Sequence, residues 1–176
     1  MNTISEDDWA KICVNVADQM STYTRDYIAS VSIEVSPTEG RLVGSGTYLE
    51  LHGQPYILTN EHVAREQLKG SLAHQLKNGE YAFQITNPFQ TLSYPVDAAI
   101  VRIEKEHFAQ GERRAIPSTK IKERFVTANQ ELLCIHGFPS EKSRMSAFVG
   151  GLLSRSIAYS TQEINLPKSY DPAYFF

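Results

Sequence analysis

Two residues of this chain have the types and the spacing for acid–base chemistry. His62 closes an apolar stretch, Tyr56-Ile57-Leu58-Thr59-Asn60-Glu61-His62, and Asp97 opens another, Asp97-Ala98-Ala99-Ile100-Val101-Arg102-Ile103, thirty-five residues later. Imidazole titrates near neutrality, so it can accept a proton from a nucleophile and return it to a leaving group. A carboxylate on the other ring nitrogen fixes the tautomer and stabilises the imidazolium. A serine hydroxyl is a poor nucleophile at neutral pH and needs such a base. Taken singly, a histidine after a strand reads as a surface or capping residue, and an aspartate before one as a turn residue. The pair gains meaning from what surrounds it.

The surrounding pattern is one of short strands. Residues 27–35 alternate and are rich in β-branched side chains; 36–40 compose a turn. A second strand is expected over 44–51, a tight turn at 52–55, and a third strand over 56–60. One or two helical turns fit 62–68. Further strands are expected over 80–86, 90–94, 98–104, 131–137, 146–156 and 157–160. Residues 105–130 carry no sustained period and read as a connector. A helix is predicted over 5–20, with Ser5 and Asp8 as a capping box and Trp9, Ile12, Cys13, Val16 and Met20 on one apolar face packed on the core. Many short strands with turns between them predict an all-β protein with an N-terminal helix.

The stretch from Gly44-Ser45-Gly46 through Ala64 resembles the trypsin-like serine proteases, and among them the Deg/HtrA-type branch. There a Gly-Ser-Gly strand and a hairpin lead to a strand ending T-[NA]-x-H-[VC], which His62 matches as general base. Asp97-Ala-Ala-Ile-Val-Arg-Ile resembles the strand led by the aspartate that orients the base. Leu133-Cys134-Ile135-His136-Gly137-Phe138-Pro139 and Phe148-Val149-Gly150-Gly151-Leu152-Leu153-Ser154 are similar, more weakly, to the opening strands of the second barrel. The resemblance covers about residues 27–160. It implies a chymotrypsin-like double β-barrel, the first complete and the second partial, and a peptide or protein substrate. The corresponding organisation is an N-terminal helical extension (1–24), a first barrel (25–110), a connector (111–130) and a partial second barrel (131–176).

The family's serine lies in a Gly-x-Ser-Gly turn whose backbone also builds the oxyanion hole, and no such turn occurs in the 176 residues. Ser45 belongs to the strand before His62. Ser154 and Ser156 are in a strand-like setting without a sharp glycine turn. Cys134, in Leu-Leu-Cys-Ile-His-Gly, reads as a buried structural thiol. The expectation is a chain with a base and its orienter but no nucleophile, so inactive by itself: either an incomplete protease or an inert relative that binds peptides. The apolar close, Tyr174-Phe175-Phe176, reads as chain interrupted on its way into a core. Glu61, before His62, stands where the family more often has a small residue; a surface position is expected for it, with an inward turn raising the basicity of His62.

Composition narrows the rest. Lys plus Arg is 17 and Asp plus Glu 20, so no basic excess exists to neutralise phosphates, and a nucleic-acid partner is not expected. No run of eighteen apolar residues exists, so no membrane-spanning helix is expected, and the acidic N-terminus is not a secretory signal. A cytoplasmic protein is the expectation, with Cys13 and Cys134 as separate reduced thiols. No metal or cofactor is expected, since neither Cys-x-x-Cys nor His-Glu-x-x-His occurs and the five histidines are scattered.

Overall fold

Ser5 starts helix α1, Glu6–Thr24, by accepting the Asp8 N–H at 3.2 Å on its hydroxyl. In this computed structural model the described residues are 4–36, 39–76, 81–109, 113–122, 124, 132–139, 143–146, 151–154 and 156–162. The helix outruns its expected end at residue 20, and within its last turn the Thr22 and Thr24 hydroxyls donate back to the carbonyls of Asp18 and Met20, at 3.0 and 2.6 Å. None of its residues is buried. It packs against a strand pair formed by Leu132–Gly137 and Ile157–Gln162 rather than on the main core, so Cys13, Val16 and Met20 are only half-covered and Trp9 and Ile12 stay exposed.

Seven strands make the main sheet: β1 (Ile28–Ser36), β2 (Glu39–Leu51), β3 (Gln54–Thr59), β4 (Leu72–Leu76), β5 (Tyr81–Gln84), β6 (Gln90–Leu92) and β7 (Ala98–Arg102). Their spatial order is β5-β4-β1-β2-β3-β7-β6, and every neighbour is antiparallel. An eighth, β8 (Ile116–Pro117), adds two parallel bridges to β2. Beyond it, β9 (Leu132–Gly137) pairs with β12 (Ile157–Gln162), and β10 (Ser143–Ser146) with β11 (Gly151–Ser154), both antiparallel. The protein is mostly antiparallel β-sheet with an N-terminal helix. Among the described residues no sheet closes into a barrel. Closure of the first would need β5 and β6 to share hydrogen bonds, and they are its two edges.

Several expected elements change. The turn at residues 36–40 shrinks because β2 already starts at Glu39, with bulges in the β1–β2 register after Val31 and after Glu34. The hairpin after β2 is only His52-Gly53, both at positive φ (51° and 70°), which matches the strand twist. Residues 146–156 do not stand as one strand: Ser146 ends β10 and Gly151–Ser154 form β11, antiparallel to it, with Ser146 opposite Gly151. The connector holds a short helix, α3 (Lys105–Ala109), and β8. Phe148, Val149, Gly150, residues 125–130 and residues 163–176 lie outside the described residues.

β1 is buried on both faces from Ile28 to Ile33. Ala29, Val31 and Ile33 join Tyr48, Ile57, Leu72 and Val101 in the main core, while Ile28 packs on the other side with Leu42 and Phe138. Phe138 therefore fastens the end of β9 onto the back of the main sheet. The first core has a polar centre. His74 on β4 is fully buried, with Nδ1 3.1 Å from the Tyr48 hydroxyl and Nε2 3.1 Å from His107 Nδ1 on α3.

Candidate active site

Strand pairing brings the two predicted residues together. β3 and β7 are antiparallel neighbours with Thr59 opposite Ala99, so the end of β3 lies beside the start of β7. Asn60 then opens helix α2, Glu61–Arg65, and His62 is its second residue. Asp97 closes the turn from β6, in which the Val96 and Asp97 N–H groups both donate to the Ser93 carbonyl, at 3.1 and 3.4 Å. Its φ of 46° is in the left-handed region, where aspartate is among the few tolerated non-glycine residues.

Asp97 meets His62 twice. Its Oδ2 lies 2.7 Å from His62 Nδ1, and its Oδ1 accepts the His62 backbone N–H at 3.0 Å. A carboxylate only accepts, so Nδ1 carries a proton, and in the neutral ring this leaves the lone pair on Nε2. The second bond satisfies a free N–H in the first turn of α2. Asn60, at the N-cap position, does not cap with its own side chain. It donates to the Asp97 carbonyl at 3.1 Å and to Oδ2 at 3.3 Å, holding the aspartate from a third side. The His62 N–H first, then the His62 ring, hold the Asp97 carboxyl below its ordinary range. The His62 side chain is 65% exposed and that of Asp97 39%, so the pair is open to solvent.

The glycines upstream seat this pair. A Cβ on Gly44 would collide with the Cγ2 of Val63, the residue after His62. At Gly46 it would lie 2.7 Å from Ile57 Cγ2 and 2.8 Å from the Leu58 carbonyl of β3. Both glycines let α2 and β3 approach β2 closely. Glu61 is not the surface residue expected. Its side chain is 13% exposed and held by Arg65 Nη2 at 2.7 Å, so its charge is compensated within α2.

The other candidates do different work. The Ser45 hydroxyl accepts the Phe138 N–H at 2.6 Å and lies 3.4 Å from the Phe138 carbonyl, so it ties the main sheet to β9. Cys13 and Cys134 are free thiols, half-buried rather than buried; burial pushes the Cys134 pKa up, away from the reactive thiolate. Ser154 ends β11 opposite Ser143, and Ser156 follows, half-buried. Among the described residues no cluster of three metal-ligating side chains occurs and no helix is long and apolar enough to cross a membrane.

Sequence reasoning missed β4 and its buried His74. The signal was present: Leu72, His74 and Leu76 alternate, but a histidine at the middle position hides a strand whose core contact is a hydrogen-bonded ring. The fold and site thus define an open, mostly antiparallel β protein with an exposed, doubly bonded His–Asp pair. Compared with known proteins, the chain matches no family model and no curated protein sequence.

Proposed function

We propose that the chain is a trypsin-like serine-endopeptidase module that carries the base half of the catalytic machinery. The observation behind this reading is the double contact of Asp97 with the ring and the backbone of His62. In this reading the lone pair on His62 Nε2 takes the proton of a serine hydroxyl as that oxygen attacks a peptide carbonyl. The imidazolium then gives the proton to the leaving amine. Asp97 stays ionised throughout and holds the charged ring in place. The double-barrel architecture implied by the resemblance belongs to the same reading, with the main sheet as first barrel and β9–β12 as the start of a second. The substrate is a peptide or protein, and the setting a cytoplasmic one.

The chain contains no Gly-x-Ser-Gly turn, and Ser45 is committed to Phe138. These facts favour a second reading, an inert relative that binds peptides along an exposed strand edge such as β6. One experiment separates the two. Expressed with the reading frame that follows Phe176 in its gene, the protease reading expects fluorophosphonate labelling of a serine, abolished by His62→Ala. The 176-residue chain alone should not be labelled. A longer frame without such a serine leaves the inert reading, and labelling of the short chain refutes the assignment of its serines.

A further inference from the structure

A cavity of about 340 Å³ lies where the end of α1, the main sheet and β9 meet. It is remote in sequence from His62 and Asp97 and uses neither. Its walls are mainly apolar: Ile28 at the start of β1, Ile116 of β8 and the ring of Tyr27. The thiol-bearing Cys134 and the ring of His136 face it from alternate positions of β9, with Thr24 and Thr47 completing the wall.

His136 adds no charge. Thr24 donates its single hydroxyl proton to the Met20 carbonyl at 2.6 Å, so the 2.5 Å contact with His136 Nδ1 is made by an Nδ1–H donating to Thr24. Burial first, then the charges of Arg25 and Arg113, push the His136 pKa down and keep the ring neutral. Among the described residues the cavity has one charged lining residue, Lys120, whose exposed ammonium donates to the Tyr23 hydroxyl at 3.0 Å. Among the described residues no carboxylate lines it.

We propose that this cavity binds a small monocarboxylate with an apolar body, its head at Lys120 and Tyr23 and its body between Tyr27, Ile28 and Ile116. Apolar walls with a few polar groups at one end are the usual make-up of a small-molecule site. The volume equals about eleven water-sized units, which suits a ligand of roughly ten non-hydrogen atoms. A single ammonium beside a phenol suits one negative charge better than a phosphate dianion. Because the walls come from α1, the main sheet and β9 together, the occupant would bridge all three.

Phenylacetate and its amide are the probes, titrated into the whole chain and followed by heteronuclear NMR and calorimetry. Phenylacetate should bind with a sub-millimolar dissociation constant and shift the resonances of Tyr27, Ile116 and Cys134. Phenylacetamide should bind about tenfold more weakly, and Lys120→Met, an exposed change, should cost the acid about tenfold while leaving the amide unchanged. Ile116→Trp, which fills the cavity, should abolish both. Absence of binding at millimolar acid, shifts elsewhere in the chain, or equal affinity for acid and amide with no effect of Lys120→Met would each overturn the proposal.

Discussion

Asp97 holds both the ring and the backbone of His62, with Oδ2 2.7 Å from Nδ1 and Oδ1 3.0 Å from the main-chain nitrogen. One carboxylate therefore sets the tautomer of the imidazole and the first turn of the helix that carries it. Removing its charge should disturb the two together.

Asp97→Asn tests this. In the native chain at pH 8, nitrogen NMR should find the His62 proton on Nδ1. In the variant the neutral amide no longer demands a donor there, and the ring should become a mixture of both tautomers, with the His62 amide resonance shifted as well. An unchanged tautomer would show that Asp97 is a capping residue with no hold on the ring.

Gly44 and Val63 should be energetically coupled. Gly44→Ala forces a methyl into the Val63 side chain and should destabilise the fold by about 1–3 kcal/mol in urea unfolding. Adding Val63→Ala makes room for it, so the double variant should lose less than the two single losses summed. Strict additivity would mean that Gly44 is not what seats α2.

Ser45→Ala leaves the Phe138 N–H without its 2.6 Å acceptor at a part-buried position. The expected cost is about 1–3 kcal/mol. Loosening should be greatest at β9, read as faster amide hydrogen exchange from Leu132 to Phe138. Unchanged exchange there would argue against the tie between the main sheet and β9.

The buried histidine predicts a pH dependence with a definite sign. Burial first, then the neighbouring His107, push the His74 pKa from 6.5 to about 3. The unfolded chain therefore binds a proton near pH 6.5 that the folded chain refuses until about pH 3. This contribution is fully present above pH 6.5 and is lost as the pH falls through that window, by at most about 4–5 kcal/mol. His107, also lowered by burial, acts in the same direction, and Asp97 adds a further loss below the ordinary carboxylate range. Urea midpoints measured from pH 8 to pH 4 should fall, and His74→Leu should flatten the slope. A slope untouched by that change would place the titrating group elsewhere.

Much of the candidate site was legible in one dimension. His62 and Asp97 each stand at the end of an apolar run, and their chemistry follows from their side chains. Ser5 and Asp8 marked the helix start, alternation marked β1, and short apolar runs marked β3, β7 and β9. These signals are local: a cap, a period of two, a turn residue. The end of α1 was not legible, because Thr22, Tyr23 and Thr24 have only a modest helix preference and nevertheless lie inside the helix. Nor was the pairing of β10 with β11.

Composition and spacing by themselves determined a β-rich chain with an N-terminal helix, a histidine and an aspartate at the ends of two apolar runs, and no Gly-x-Ser-Gly turn. Tertiary structure alone decided which partners those residues take. The register of β3 on β7 brings Asp97 to the start of α2, the closeness of β2 explains Gly44 and Gly46, and Phe138 captures the hydroxyl of Ser45. It also put His74, polar by its letter, at the centre of the core, where Tyr48 and His107 supply its hydrogen bonds. The reason is common to all of these: a hydrogen bond or a close approach between residues far apart in sequence leaves no period in the chain, and becomes visible only when the strands are laid side by side.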